Sequence, residues 1–125
     1  MTTQRVAMLF GLVFLVIGVL GFVLTGTSQN MSMLLGIFPV NLAHNLVHCL
    51  FGVWGLAAAR STGGATTYCK VGGAIYLVLG LLGFVAENPL GLVPLGGNDR
   101  WLHLAVGAIL TYAGMTMGGE KSVAA

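Results

Sequence analysis

The chain has 125 residues, of which 57% are hydrophobic and 6% charged, and its formal net charge is +2. A soluble domain carries about 25% charged residues, and eight charges cannot solvate a globule of this size. With a mean hydropathy of +0.95, this composition predicts an integral membrane protein and excludes a soluble enzyme, a disulfide-stapled scaffold and a nucleic-acid binder.

The expected architecture is all-α: a four-helix bundle spanning the membrane, with spans at about 6–25, 40–59, 66–86 and 100–118. Helices are the default in lipid because every backbone polar group must be bonded internally. The first span, with an apolar core from Val6 to Leu24, is too long for a signal-peptide core. Its Thr25-Gly26-Thr27-Ser28 exit also lacks an Ala-x-Ala site, so it is read as a mature helix. Turn-rich stretches follow at Thr25–Asn30, Arg60–Gly64 and Glu87–Asp99. Four spans place both termini and the 60–70 connection on one side, with Arg5, Arg60, Lys70 and Lys121. The other side keeps Arg100 with Glu87 and Asp99. The excess of Lys and Arg makes the first side cytoplasmic. Tyr68 and Trp101 read as interfacial anchors, whereas Trp54 falls inside the second span with no anchoring role. Cys49 and Cys69 lie at different depths and are expected to stay unpaired.

The two halves, about 6–59 and 66–118, resemble each other. Gly11, Gly18, Gly21, Phe22 and Val23 recur 62 residues later as Gly73, Gly80, Gly83, Phe84 and Val85. Leu35, Gly36, Pro39, His48 and Gly52 recur 55 residues later as Leu90, Gly91, Pro94, His103 and Gly107. Each half holds two spans, so the expectation is a tandem parallel repeat with a pseudo-twofold axis along the membrane normal. Glycines seven apart share a helix face, where small residues admit close helix packing.

Polar residues gather where the second and fourth spans begin. Asn41 and Asn98 are candidate N-caps. His44 and His48 are one turn apart, as are Asp99 and His103. Asn45 borders the first pair and Arg100 the second. Polar side chains in a span are costly and face the bundle interior. Convergence of His44, His48, Asp99 and His103 would give three imidazoles and a carboxylate, a donor set for zinc or another divalent first-row ion. His48 and His103 could instead be axial ligands of haem or a chlorin pigment, or histidines of a proton relay. The plainest expectation is structural: Asn45, His48, Asp99, Arg100 and His103 tie the outer helix ends together. Glu87 reads as a solvated boundary carboxylate or a partner of Arg100. No catalytic carboxylate pair or activated nucleophile is visible.

The run Leu35–His48, the segment Gly52–Arg60 and the segment Gly96–His103 together resemble an uncharacterised bacterial four-span membrane family, catalogued as domain of unknown function four-three-eight-three. The resemblance extends over nearly the whole chain and rests on Asn41, His44, Asn45, His48, Asn98, Asp99 and His103. It implies the fold and the location, a bacterial inner or photosynthetic membrane, and supplies no activity. The leading functional expectation is therefore a non-enzymatic accessory or structural subunit, packing with itself or within a larger membrane complex. A haem-, pigment- or metal-binding protein is the first alternative and a small transporter or channel the second.

Overall fold

The computed structural model describes residues 2–86, 88 and 94–117. Four helices, α1 (Thr3–Thr25), α2 (Leu42–Ala58), α3 (Thr62–Val85) and α4 (Asn98–Met117), carry the fold. Their starts follow side-chain chemistry. The Thr2 hydroxyl accepts from Arg5 N, the Asn41 side chain from His44 N and the Ser61 hydroxyl from Gly64 N, each satisfying a backbone donor that the first turn leaves unpaired. Gly26, at φ +76°, ends α1, a backbone state cheap only for glycine.

Between α1 and α2 lies a short antiparallel hairpin, β1 (Ser32–Leu34) and β2 (Phe38–Val40), in the register Met33 opposite Pro39. Leu35 and Gly36 turn it with φ of +55° and +69°, and Ile37 N donates to Leu34 O at 3.0 Å. Two positive φ values in succession are the sign pattern of a type I′ turn. These strands are a departure from the all-helical expectation.

α1 packs along α2 and α3 along α4, and the two pairs meet mainly through α1 with α3 and α2 with α3. Glycines set how closely the members of each pair approach. A Cβ on Gly52 would stand 2.6 Å from Leu15 N, and one on Gly107 would stand 2.6 Å from Leu77 N. Likewise Gly11 faces Leu56 N at 2.8 Å, while Gly73 faces Thr111 N at 2.6 Å. Each contact recurs at the shifts of 62 and 55 residues seen in the sequence. One end of the bundle gathers the start of α1, the end of α2 and the start of α3. There Gln4 Nε2 donates to Ala59 O at 3.1 Å, Thr62 Oγ1 to Gln4 Oε1 at 3.5 Å, and the Thr3 and Thr66 hydroxyls are 3.3 Å apart. The hairpin and the starts of α2 and α4 lie at the opposite end.

Of the four expected spans, two pass on length and composition. α1 and α3 are long and apolar enough to cross a membrane, and α2 is an apolar helix of 17 residues. At 1.5 Å per residue α2 is about 25 Å long, short of a hydrocarbon core of about 30 Å. α4 opens with Asp99 and Arg100, which lowers its apolar content. α3 starts four residues earlier than expected because Ser61 caps it, which shortens the α2–α3 connection. Tyr68 is not an interfacial anchor: it is fully buried, and its hydroxyl donates to Phe51 O at 3.1 Å. Trp54 stands edge-on to Tyr68, with ring centroids 4.8 Å apart, so it belongs to the aromatic core. Trp101 is 61% exposed and packs edge-on against Phe84. Both cysteines are free. Glu87, Leu90, Gly91, Gly118 and Lys121 lie outside the described residues, as do the expectations attached to them.

Candidate functional site

The starts of α2 and α4 meet beneath the hairpin. Asn41 fixes the first turn of α2, accepting from His44 N at 2.9 Å. Asn98 is the first residue of α4 rather than the residue before it, and its Nδ2 donates to Ile37 O at 3.0 Å, tying α4 to the hairpin turn. These contacts set His44 and His48 on one helix opposite Asp99 and His103 on the other.

One ring nitrogen from each of His44, His48 and His103 lies within 4.8 Å of those of the other two. The His44 and His48 rings stand edge to face with centroids 4.2 Å apart, and His103 faces His44 at 6.1 Å. His44 Nε2 is 3.3 Å from Asp99 Oδ2. All four side chains are at most 5% exposed. The Nδ1 atoms of the three histidines have no hydrogen-bond partner among the described residues. A buried polar atom left without a partner costs about 1–3 kcal/mol, and a bound ion would supply partners to these nitrogens.

Two aromatic residues that the polar pattern could not reveal form the floor. Phe14 of α1 and Tyr76 of α3 stack nearly parallel with centroids 5.2 Å apart. Phe14 also stacks on His48, and Tyr76 tilts against His103 at 5.3 Å. The 62-residue shift relates Phe14 to Tyr76, so the repeat was the clue that could have found them.

The expected structural network does not form as drawn. Asn45 is fully buried but turns toward α1, where Nδ2 donates to Thr25 Oγ1 at 3.4 Å and the side chain packs on Gly21. Arg100 places its guanidinium 4.7 Å from the centroid of the Phe84 ring, a cation–π contact. Among the described residues the Asp99 carboxylate pairs with His44, not with Arg100. His44, His48, Asp99 and His103 come together, Asn41 and Asn98 support them, and Asn45 and Arg100 stand apart.

Three imidazoles with a carboxylate beside one of them suit zinc and other first-row divalent ions. A tetrahedral ion with bonds of about 2.0–2.1 Å draws its nitrogens to about 3.3–3.4 Å apart. Ring rotations of about an ångström would close the gap from 4.8 Å. A cavity of about 160 Å³ opens beside His44, His48 and Asp99. An apolar cavity of about 150 Å³ takes a benzene-sized guest, so a porphyrin or chlorin macrocycle does not fit there.

Fold and site together define a small four-helix protein with a buried, aromatic-floored histidine cluster at one end. The family described as Domain of unknown function (DUF4383) matches residues 4–116. The chain belongs to that family. No curated protein and no solved structure matches it.

Proposed function

We propose that this chain is an integral membrane protein that holds one divalent first-row metal ion, of the zinc class, through His44, His48 and His103. The carrying observation is the convergence of three buried imidazoles whose Nδ1 atoms are unpartnered. Asp99 faces Nε2 of His44. A small turn of the His44 ring would let Nε2 donate to this carboxylate, the arrangement that orients a metal-ligating histidine and raises its basicity. Three protein nitrogens leave the fourth position of a tetrahedral ion open.

The membrane setting is supported by α1 and α3 and by outward side chains such as Val16, Val23, Val78, Leu81 and Val85, each more than half exposed. In this reading all four helices span, α2 and α4 completing their length with flanking residues. The halves are then tandem repeats about a pseudo-twofold axis along the membrane normal, and both termini are cytoplasmic. The shared glycine contacts and the Phe14–Tyr76 stack support that axis. The histidine site then lies at the outer end.

Cobalt titration of the detergent-solubilised protein tests the metal reading. Tetrahedral Co²⁺ gives intense visible bands, which are expected to saturate at one ion per chain. Replacing His48 or His103 with Ala is expected to weaken binding by more than the 10- to 100-fold that loss of an orienting partner costs. Absence of these bands would overturn the reading.

A second reading is an accessory subunit packing with copies of itself or within a larger complex, in which the apolar groove along Val78, Leu81, Leu82 and Val85 on α3 meets protein in place of lipid. Cross-linking in native membranes tests it. Discrete larger species support it, and a chain recovered only as a monomer contradicts it.

A further inference from the structure

We infer that the cavity beside the histidine cluster binds a small, mostly apolar molecule carrying one acidic oxygen or sulfur atom, which takes the open position on the metal. This rests on the metal reading above and adds the class of ligand. Four features carry it.

The first is position. His44, His48 and Asp99 lie on the cavity wall, while His103 does not. An ion held by the three imidazoles therefore has His103 behind it and the cavity on its open side. The second is size: at about 160 Å³ the space matches a guest of one ring, as the benzene-binding cavity of about 150 Å³ shows. The third is surface. Apart from those three polar side chains the wall is apolar, built by Ile17 and Leu20 of α1, Leu34, Phe38 and Val40 of the hairpin and Leu102 of α4, with Leu35 at the turn. A polar ligand would lose its hydration there with nothing to replace it. The fourth is charge. A divalent ion with neutral imidazoles and one nearby carboxylate leaves a net charge of +1 in a buried site, where an uncompensated charge is expensive. A monoanionic donor neutralises it. Coordination forms one metal–oxygen or metal–sulfur bond, and the proton of the free acid goes to solvent.

The hairpin divides this site from a second, outer cavity of about 400 Å³. Met33, Ile37 and Pro39 face the outer cavity, and Leu34, Phe38 and Val40 face the histidines. Leu20 and Leu35, 41% and 68% exposed, form the accessible rim, so the guest enters past the edge of the hairpin along the outward, lipid-side surface of α1.

Phenol is a suitable probe, being one ring with one acidic oxygen. Solubilised protein is loaded with Co²⁺ and titrated with phenol while the visible bands are followed. The expected result is a saturable band shift. Leu20→Phe and Leu102→Phe, which fill the cavity from different helices, should weaken the phenol response by about tenfold or more while keeping the Co²⁺ bands. Those retained bands show that a variant has folded. Co²⁺ bands that phenol leaves unchanged would overturn the ligand site and leave the metal site standing. A phenol response that neither variant alters would overturn it as well, since the probe would then bind elsewhere. Failure to form the Co²⁺ bands at all would overturn the metal reading and this inference with it.

Discussion

In the proposed reading four buried side chains, His44, His48, His103 and Asp99, carry the chemistry of this protein. Asp99→Asn tests the smaller of two roles. It keeps the shape but loses the charge beside His44, so metal affinity is expected to fall by about 10- to 100-fold while Co²⁺ coordination is retained, as read by titration. The glycines make a separate prediction. Gly52→Ala and Gly107→Ala each push a methyl group against backbone, at Leu15 and Leu77 respectively. Each should destabilise the bundle by about 1–3 kcal/mol, measured by thermal unfolding in one detergent, and equal costs at the two sites would reflect their equivalent settings. The polar residues were legible in the sequence because their helical spacing puts them on shared faces. The departures of Asn45 and Arg100 were not, since each found a partner on its own helix pair: Thr25 and Gly21 for Asn45, and Phe84 for Arg100. Spacing names a face and leaves the partner across it unspecified.

At the scale of elements, the hairpin lines the cavity beside the histidines and is tied to α4. Asn41 caps α2, and Asn98 holds the hairpin turn through Ile37 O. Asn41→Ala should cost about 1 kcal/mol and Asn98→Ala about 0.5–1.5 kcal/mol of stability, again by thermal unfolding. Hydrogen exchange is expected to speed up in Ser32–Val40 in the second variant before it does so in α1 or α3. The four helices were legible from runs of apolar residues, and the start of α2 from Asn41; the start of α3 was not, because its cap Ser61 sits in the turn-rich stretch Arg60–Gly64. The hairpin was not, because three-residue strands are too short for an alternating pattern, and its turn puts Leu35, a residue with no preference for positive φ, at +55°. The Tyr68 hydroxyl also misled: a polar tip near a helix end suits a membrane interface as well as a buried bond to Phe51 O.

For the whole molecule, composition and the 62- and 55-residue shifts said most, and they anticipated which glycines sit at equivalent contacts. They could not say that Phe14 and Tyr76 stack on each other or that three imidazoles share one pocket, since both depend on how the two halves face one another. The topology reading predicts that a cysteine placed at Gly97, which is exposed at the hairpin end, is labelled by an impermeant maleimide from outside intact cells, and that one at Gly63 is not. Labelling of both or of neither from outside would contradict four spans with inner termini. The cavity size further predicts that the purified protein shows no Soret or chlorin band. The most direct test of the central claim is zinc content. Protein equilibrated with Zn²⁺ and freed of excess by gel filtration should retain one ion per chain by plasma mass spectrometry, and His103→Ala should retain none. Wild-type protein that keeps no zinc, or a His103→Ala variant that keeps as much as wild type, would contradict the account.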